Sequence, residues 1–274
     1  MTPYAKPAAG LPTQLEITRD RSIFTDAYCV LTRRTMSDIV TSRLPGWDAR
    51  AWIIARPMTG FLETFSHIVV EMEPGRQGAG EPDPAVQGVL FVVEGTLSLE
   101  HSGGAERLGA GGYAYRPAGD AWSLANVGEG PATFHWLRKR YEPVEGVAPP
   151  QAFATRDDAV EPDPMPDTDG AWATTRFVDP ADMAHDMHVN IVTFRPGSVI
   201  PFLETHAMEH GLYVLQGKAI YALNGDWVEV EAGDYMALRA FCPQACYAAG
   251  PVPFRYLLYK DVNRFPSHAG RAGL

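Results

Sequence analysis

Hydrophobic positions along the chain fall in short runs that alternate with turn-forming residues. In the C-terminal half these runs are rich in β-branched and aromatic residues and cover 187–194, 211–215, 219–223, 227–230, 235–238 and 254–259. Runs of this length and composition predict β-strands. Asn224-Gly225 lies between two of the runs and predicts a hairpin, because both central residues of such a turn need positive φ. Many short strands with regular turns predict an all-β fold of the sandwich or barrel type.

The chain repeats itself with an offset of 122 residues. Pro74-Gly75 corresponds to Pro196-Gly197, segment 87–95 corresponds to 209–217, and Gly111 corresponds to Gly233. Three independent matches at one offset indicate a tandem duplication. We therefore expect two β-modules of similar architecture.

The repeat and the turn-rich segments predict the domain boundaries. Residues 161–170 are acidic and rich in proline, so we expect this stretch to form neither a strand ladder nor a helix and to act as a linker. The predicted organisation is an N-terminal extension at 1–49, a first module at 50–145, a linker at 146–174, a second module at 175–266 and a tail at 267–274.

Composition excludes several functional classes. The 274 residues are 46% hydrophobic, which excludes a disordered chain, and the net charge of −10 argues against nucleic acid or anionic membranes as partners. No apolar run reaches the roughly 18 residues that a membrane helix needs, and the N-terminus has no signal-peptide pattern. Cys29, Cys242 and Cys246 lack CxxC spacing, which predicts reduced thiols in a cytoplasmic protein.

A group of potential metal ligands precedes the apolar run 211–215. Glu204, His206 and His210 share one parity, so on an extended chain their side chains leave from the same face. Gln244, on or near a later strand, is a fourth candidate. Two imidazoles, a carboxylate and an amide oxygen suit a divalent metal of intermediate hardness such as Mn, Fe or Ni.

Two other interpretations of these residues stay open. In the first interpretation, the histidines are surface residues of a loop and bind no ligand. In the second, 206–210 is the H-x-x-E-H motif of inverzincin peptidases, which works only on a helix. Pro201 shortly before the motif and Gly211 directly after it leave no length for a helix, which argues against the second interpretation.

The spacing of the candidate ligands resembles the two motifs of the cupin superfamily, G-x5-H-x-H-x3-4-E-x6-G and G-x5-P-x-G-x2-H-x3-N. Glu204 stands where the first His is usual, His210 where the Glu is usual, and Gln244 where the last His is usual. The first module keeps the second motif but has Trp122 at its ligand position. At the 122-residue offset, its other ligand positions are Pro82, Pro84 and Gly88. The resemblance implies two tandem cupin barrels (double-stranded β-helices, or jelly rolls), of which only the second holds a metal.

The ligand set resembles the (S)-ureidoglycine aminohydrolase family in particular. The segments that carry this resemblance are 204–217, Gly233-Asp-Tyr235, 259–264 and 140–149. It implies metal-dependent hydrolysis of (S)-ureidoglycine to (S)-ureidoglycolate and ammonia, within allantoin and purine degradation. The implied cofactor is Mn²⁺, bound by Glu204, His206, His210 and Gln244; Fe, Ni and Zn stay open as alternatives.

Further residues receive roles beside the metal. Glu204 is a candidate for carrying a proton as well as for binding the metal. The resemblance places Lys260 against the substrate carboxylate, and Gln244 is also a candidate substrate contact. Tyr256 shares the strand parity of Lys260 and is predicted to hydrogen-bond the substrate; Tyr221 is a weaker candidate. The alternatives are core packing for both tyrosines and a solvated strand end for Lys260.

Other functions stay open at this point. A different metal-dependent cupin enzyme, such as a dioxygenase or an isomerase, would use a related site, and a non-catalytic bicupin would bind a small molecule without reaction. The expected partners are a small anionic ureido substrate and further copies of the chain in a homo-oligomer, since sheet edges with exposed apolar residues associate.

Overall fold

The computed structural model describes residues 4–261, and these form an all-β structure. Outside the strands lie one short helix, α1 (Gln14–Thr18), and two turns of 3-10 helix, Asp38–Val40 and Asp157–Ala159. The α1 helix begins with a reciprocal cap, since the backbone N–H of Thr13 donates to the Glu16 carboxylate at 2.8 Å and that of Glu16 donates to Thr13 Oγ1 at 3.3 Å. The predicted tail at 267–274 lies outside the described residues.

The first barrel consists of two sheets. Its strands are β3 (Arg50–Ala55), β4 (Phe65–Met72), β5 (Gln77–Ala79), β6 (Val86–Glu94), β7 (Thr96–His101), β8 (Gly104–Gly109), β9 (Gly112–Arg116), β10 (Trp122–Asn126) and β11 (Ala132–Arg140). A six-stranded sheet has the order β12-β9-β6-β11-β4-β3, where β12 is Phe153–Arg156, and a four-stranded sheet has the order β5-β10-β7-β8. A hydrophobic core that includes Leu90, Trp122 and Trp136 fills this barrel.

The second barrel repeats this design. Its strands are β13 (Asp163–Pro164), β14 (Trp172–Thr175), β15 (Met187–Phe194), β16 (His210–Gln216), β17 (Lys218–Leu223), β18 (Asp226–Glu231), β19 (Tyr235–Leu238), β20 (Gln244–Ala249) and β21 (Phe254–Asp261). The eight-stranded sheet has the order β1-β2-β19-β16-β21-β15-β14-β13, where β1 is Ile23–Phe24 and β2 is Tyr28–Leu31, and the three-stranded sheet has the order β18-β17-β20. The all-β prediction and the prediction of tandem jelly-roll barrels are confirmed.

The repeat is also present in the strand register. Trp136 pairs with Ile68 and Leu90 in the first barrel, and Leu258, 122 residues later, pairs with Asn190 and Leu212. Residues at this offset therefore occupy equivalent places in the two barrels.

The repeated Gly95 and Gly217 have one structural reason. Both adopt positive φ, 80° and 75°. In each case a Cβ would overlap backbone at the start of a distant strand, near Ala132 of β11 in the first barrel and at the Pro253 carbonyl before β21 in the second. Only glycine therefore fits where the chain turns against that neighbouring backbone.

The N-terminal extension crosses to the second barrel. Its strands β1 (Ile23–Phe24) and β2 (Tyr28–Leu31) lengthen the eight-stranded sheet, and β2 pairs with β19 from Tyr28↔Leu238 to Leu31↔Tyr235. Trp47, also in the extension, packs inside the first barrel. The extension therefore joins both barrels.

The expectation that 161–170 forms no ladder is wrong at two residues. Asp163 and Pro164 pair with Thr174 and Ala173 of β14, and the N–H of Met165 donates to the Trp172 carbonyl at 3.0 Å. Pro164 has no N–H, but it lies at the outer edge of the sheet, where that donor is not needed.

The two large sheets pack against each other through alternate side chains. In β16, Leu212 and Val214 point into the second barrel, whereas Tyr213 and Leu215 belong to the core between the barrels. Alternate residues along each strand therefore face the interior of their own barrel and the neighbouring barrel.

Within residues 4–261 no helix is long and apolar enough to cross a membrane, and the three cysteines are free and buried.

Candidate metal centre

Glu204 and Gln244 are held side by side by their backbones. The N–H of each donates to the carbonyl of the other at 2.9 Å, and the two residues form an isolated antiparallel bridge. Gln244 begins β20, the strand that the sequence pattern left undefined, and its side chain is buried. This pairing brings a carboxylate and an amide from distant parts of the chain to one mouth of the second barrel.

The two histidines join this pair from the segment that leads into β16. His206 Nε2 lies 3.5 Å from Glu204 Oε2, and the His206 and His210 rings stack with centroids 5.0 Å apart. The N–H of Phe241 donates to the His206 carbonyl at 2.6 Å, which ties this segment to the loop before Gln244. The structure therefore brings all four predicted ligands to one region.

His210 is held in a form that suits metal binding. Burial, followed by the neighbouring His206, lowers the pKa of His210 to about 3, so the ring is neutral at pH 7. Its Nδ1 lies 3.2 Å from the Met208 carbonyl and would donate to it, which leaves the Nε2 lone pair for a ligand.

The donor chemistry fits a divalent transition metal. One carboxylate, two imidazoles and one amide oxygen match the preferences of such ions. In residues 4–261 no three His, Cys, Asp or Glu side chains are arranged so that they could already hold an ion. The ligand set of Glu204, His206, His210 and Gln244 therefore stays a prediction.

Lys260 lies beside these residues in the large sheet. On β21 it pairs with His210 of β16 on one side and with His188 of β15 on the other. Burial is the main cause that lowers the pKa of Lys260, and Arg176 adds to it. Lys260 is also close enough to His210 to contribute to the lowering of the His210 pKa.

Tyr256 and Tyr221 belong to the hydrophobic core of the second barrel. Burial raises the pKa of both hydroxyls, and the Cys246 thiol and the Glu204 carboxylate contribute at Tyr256. Tyr256 therefore packs in the core of the second barrel and is also close to the candidate ligands. The structure places Tyr221 deeper, with Cys246 and Tyr256 as its neighbours.

The equivalent region of the first barrel is filled with indole rings. Trp122, at the position of Gln244, packs with its ring 5.6 Å from that of Trp136 and 6.2 Å from that of Trp47. A Cβ at Gly88, the position of His210, would come within 3.0 Å of Trp136 Nε1. This barrel has neither ligand side chains nor room for a metal at the equivalent point.

Glu209, the acid of the H-x-x-E-H pattern, points away from the histidines. Its carboxylate accepts hydrogen bonds from the N–H groups of Glu63 and Thr64, at 2.8 and 3.0 Å, and from Thr64 Oγ1 at 2.8 Å. Segment 206–210 is non-helical and leads directly into β16. The structure therefore excludes the peptidase interpretation and shows that Glu209 connects the candidate centre to the first barrel.

Two polar residues on the same wall were not predicted as site residues from the sequence. His188 and Asn190 lie on β15, point into the second barrel and are buried. Both lie within the predicted strand 187–194, but neither was a candidate site residue. The 122-residue offset contains the signal, because the equivalent residues in the first barrel are Ser66 and Ile68.

Comparison with known proteins agrees with this architecture. The family model described as "Cupin domain" matches twice, at residues 68–138 and 190–259. A solved structure of a Pseudomonas aeruginosa protein described as glyoxylate-induced superposes with a TM-score of 0.90 at 56% identity, covering 97% of this chain and 98% of that chain.

Two curated relatives carry a more specific name. An (S)-ureidoglycine aminohydrolase of Arabidopsis thaliana is 32% identical over 90% of this chain and 79% of its own length. The enzyme of the same name from Escherichia coli K12 is 30% identical over 84% of this chain and 87% of its own length. By its two cupin regions and its similarity to these relatives over most of its length, the chain belongs to the (S)-ureidoglycine aminohydrolase family of cupin proteins.

Proposed function

We propose that this protein hydrolyses (S)-ureidoglycine to (S)-ureidoglycolate and ammonia, as a step of allantoin and purine degradation. The observation that carries the proposal is the meeting of Glu204, His206, His210 and Gln244 at one barrel mouth, with Lys260 paired to His210 on the same wall. This combination suits a small anionic substrate that loses an amine. Its absence from the first barrel limits the chemistry to the second.

The metal of this site is proposed to be Mn²⁺, held by Glu204, His206, His210 and Gln244. When bound, such an ion acts as a Lewis acid and lowers the pKa of coordinated water. Fe, Ni and Zn compete for the same donor set, and the ordinary affinity order favours Ni and Zn over Mn.

The protein's own groups bind the substrate and move a proton. The Lys260 ammonium pairs with the substrate carboxylate and so fixes the central carbon relative to Glu204. In the reaction a C–O bond forms from water, the C–N bond to the amine breaks, and a proton passes from the water to the departing amine. A Glu204 carboxylate oxygen is placed to carry that proton.

Substitution of Glu204 tests the proposal. Glu204→Ala removes the only carboxylate among the proposed ligands, so bound metal and ammonia release should both fall at least tenfold, which corresponds to about 1.4 kcal/mol or more. Metal analysis and an ammonia assay on freshly generated ureidoglycine measure the two effects.

The exposed Glu129 of the first barrel provides the control. Glu129→Ala should leave both quantities unchanged. If Glu204→Ala kept full activity, the assignment would be wrong. A wild-type protein with neither metal nor ammonia release would instead support a non-catalytic binding protein.

Assembly into a homo-oligomer is part of the proposal as well. Sedimentation velocity on the purified protein measures it, and a single species of one chain's mass, 30.0 kDa, would contradict it.

A further inference from the structure

We propose that Asn190, assisted by His188, recognises the ureido group of the substrate and so determines specificity for ureido acids. This inference rests on the proposed function and extends it to two residues of the same site. It assigns the two ends of the substrate to different strands, the carboxylate to Lys260 on β21 and the ureido group to β15.

The sheet places both residues beside the candidate substrate contacts. Strands β16, β21 and β15 are neighbours in that order, so His210, Lys260 and His188 form one row across the sheet. One step deeper in the barrel, Asn190 pairs with Leu258, which lies between Lys260 and Tyr256 on its strand. Asn190 therefore stands on the wall that joins these two proposed contacts.

Each residue has a buried polar atom that is unsatisfied. The exposed fraction of Asn190 is 1% and that of His188 is 5%. Asn190 Oδ1 and His188 Nε2 have no hydrogen-bond partner among residues 4–261. Because buried polar atoms in native proteins are almost always paired, two such atoms on the inward face of one strand indicate a ligand that supplies the missing groups.

The duplicated half shows that the fold itself does not require these polar groups. Ile68 occupies the place of Asn190 in the first barrel, with the equivalent partner Trp136 instead of Leu258. Ser66 occupies the place of His188. A β-strand at this position is therefore compatible with an apolar side chain, and the buried amide of the second barrel has a role other than holding the strand.

The chemistry of the two atoms matches a ureido group. A terminal ureido NH₂ carries two donors, and Asn190 Oδ1 is an acceptor. Burial and the Lys260 ammonium lower the pKa of His188 to about 4, so its ring is neutral at pH 7 and can also accept a hydrogen bond. Lys260 therefore remains the contact of the substrate carboxylate, because neither Asn190 nor His188 carries a charge that would compete for that carboxylate.

A comparison of two stable ligands isolates this contact. N-carbamoylglycine and N-acetylglycine share the carboxylate and the amide, but only the former has the terminal NH₂. Isothermal titration of the metal-loaded wild-type protein should show N-carbamoylglycine binding more tightly, on the order of tenfold. Asn190→Leu keeps the size of the side chain and should reduce this preference to about one.

Two further variants complete the test. Asn190→Asp keeps an acceptor and should retain the preference while weakening both ligands, because its charge repels their carboxylates. Ser66→Ala, at the position of His188 in the first barrel, should behave as the wild type. Equal binding of the two ligands to the wild type, or an unchanged preference in Asn190→Leu, would overturn the inference.

The result is separable from the proposed function. A wild-type protein that prefers N-carbamoylglycine but releases no ammonia from ureidoglycine would support recognition of the ureido group and refute the hydrolysis. Ammonia release without any preference between the two ligands would refute the inference and leave the hydrolysis intact.

Discussion

Individual side chains account for the difference between the two barrels. Where the second has His210 and Gln244, the first has Gly88 and Trp122, on strands of the same register. In place of the two metal donors, the first barrel has a glycine, which leaves space, and an indole ring, which helps to fill the barrel. A β-barrel scaffold therefore supports either a polar site or an apolar core, depending on the side chains at its inward positions.

Lys260 offers a test at this scale. Lys260→Ala should leave bound metal unchanged, because the ammonium is not among the proposed ligands. It should raise the KM for ureidoglycine by one to two orders of magnitude, as expected for loss of a partly buried charge pair worth about 1.5–3 kcal/mol. Steady-state ammonia release and metal analysis measure these effects.

Arg138 is the matched control for Lys260. It lies at the same place in the first barrel and its guanidinium pairs with Glu81 at 2.5 Å. Arg138→Ala should leave KM unchanged. If Lys260→Ala lost its metal as well, the residue would hold the strand rather than the substrate.

The residues that meet at the site were predicted from the sequence, but its geometry was not, because residues 205–209 do not form the extended strand that the parity argument assumes. The even numbers of Glu204, His206 and His210 predict a shared face, and the structure brings these residues together with Gln244. His188 and Asn190 were missed because a buried strand with polar residues at two inward positions still has the composition of a core strand. Only comparison with the equivalent residues of the other half reveals them.

At the level of elements, hydrogen bonds to both barrels hold the start of β16 in place. Glu209, next to His210, accepts hydrogen bonds from Glu63 and Thr64 in the segment between β3 and β4. Its own N–H donates to Asp261 Oδ1 at 2.8 Å, at the end of β21. The first barrel thus helps to position the strand that carries a candidate ligand.

Substitution of this carboxylate should therefore affect stability and metal binding together. Glu209→Gln places amide hydrogens against backbone donors, and we expect a loss of about 1–3 kcal/mol in the free energy of unfolding. Metal affinity should also fall, because His210 is the next residue. Urea denaturation and metal titration measure the two effects.

Glu229 on β18 provides an exposed comparison for Glu209. Glu229→Gln should change the free energy of unfolding by less than about 0.5 kcal/mol. Equal stabilities of the two variants would show that the contact between the barrels at Glu209 is not important.

The turn pattern predicts most elements of the second barrel within one or two residues. The runs 187–194 and 235–238 coincide with β15 and β19, and 254–259 lies within β21. Strand β20 was left undefined because it begins with Gln244 and contains three alanines and no β-branched residue. Its hydrogen bonds to β17 decide its conformation, and these are not visible in the local sequence.

In the whole molecule, a buried core lies between the two barrels. It includes His67 and His135, whose Nε2 and Nδ1 are 2.9 Å apart, and the rings of Tyr213 and Tyr235 from the second barrel pack against them. Burial is the main cause that lowers the pKa of both histidines, that of His135 to about 3. The interface therefore requires both rings to be neutral.

This pair predicts a pH dependence of stability. The unfolded chain takes up protons near pH 6.5 whereas the folded protein does not, so the contribution is complete above pH 6.5 and is lost as the pH falls towards 3. Each histidine should lower the free energy of unfolding by up to about 1.4 kcal/mol per pH unit within this range.

The double variant His67→Phe with His135→Phe removes both protonation sites and both hydrogen-bond partners. Its stability should depend less on pH between 6.5 and 4 than that of the wild type, as measured by denaturation at several pH values. Parallel curves for the two proteins would contradict this account of the interface. His101→Phe, at a partly buried position on β7 with a Glu106 contact, serves as the control.

The contact between the barrels was the part of the architecture that the sequence could not predict. Alternation identifies two faces on each strand, but both faces of the large sheets are apolar because one lines a barrel and the other the interface. The path of β1 and β2 to the second barrel had no local signal either, since short strands join whichever edge is free.

Ammonia release from ureidoglycine tests the central claim most directly. Freshly generated (S)-ureidoglycine should release one ammonia per molecule in the presence of the metal-loaded protein, with (S)-ureidoglycolate as the other product and a rate well above spontaneous decomposition. Allantoate-derived mixtures without the protein provide the baseline. A rate equal to that baseline, measured on protein with a full equivalent of bound metal, would contradict the assignment.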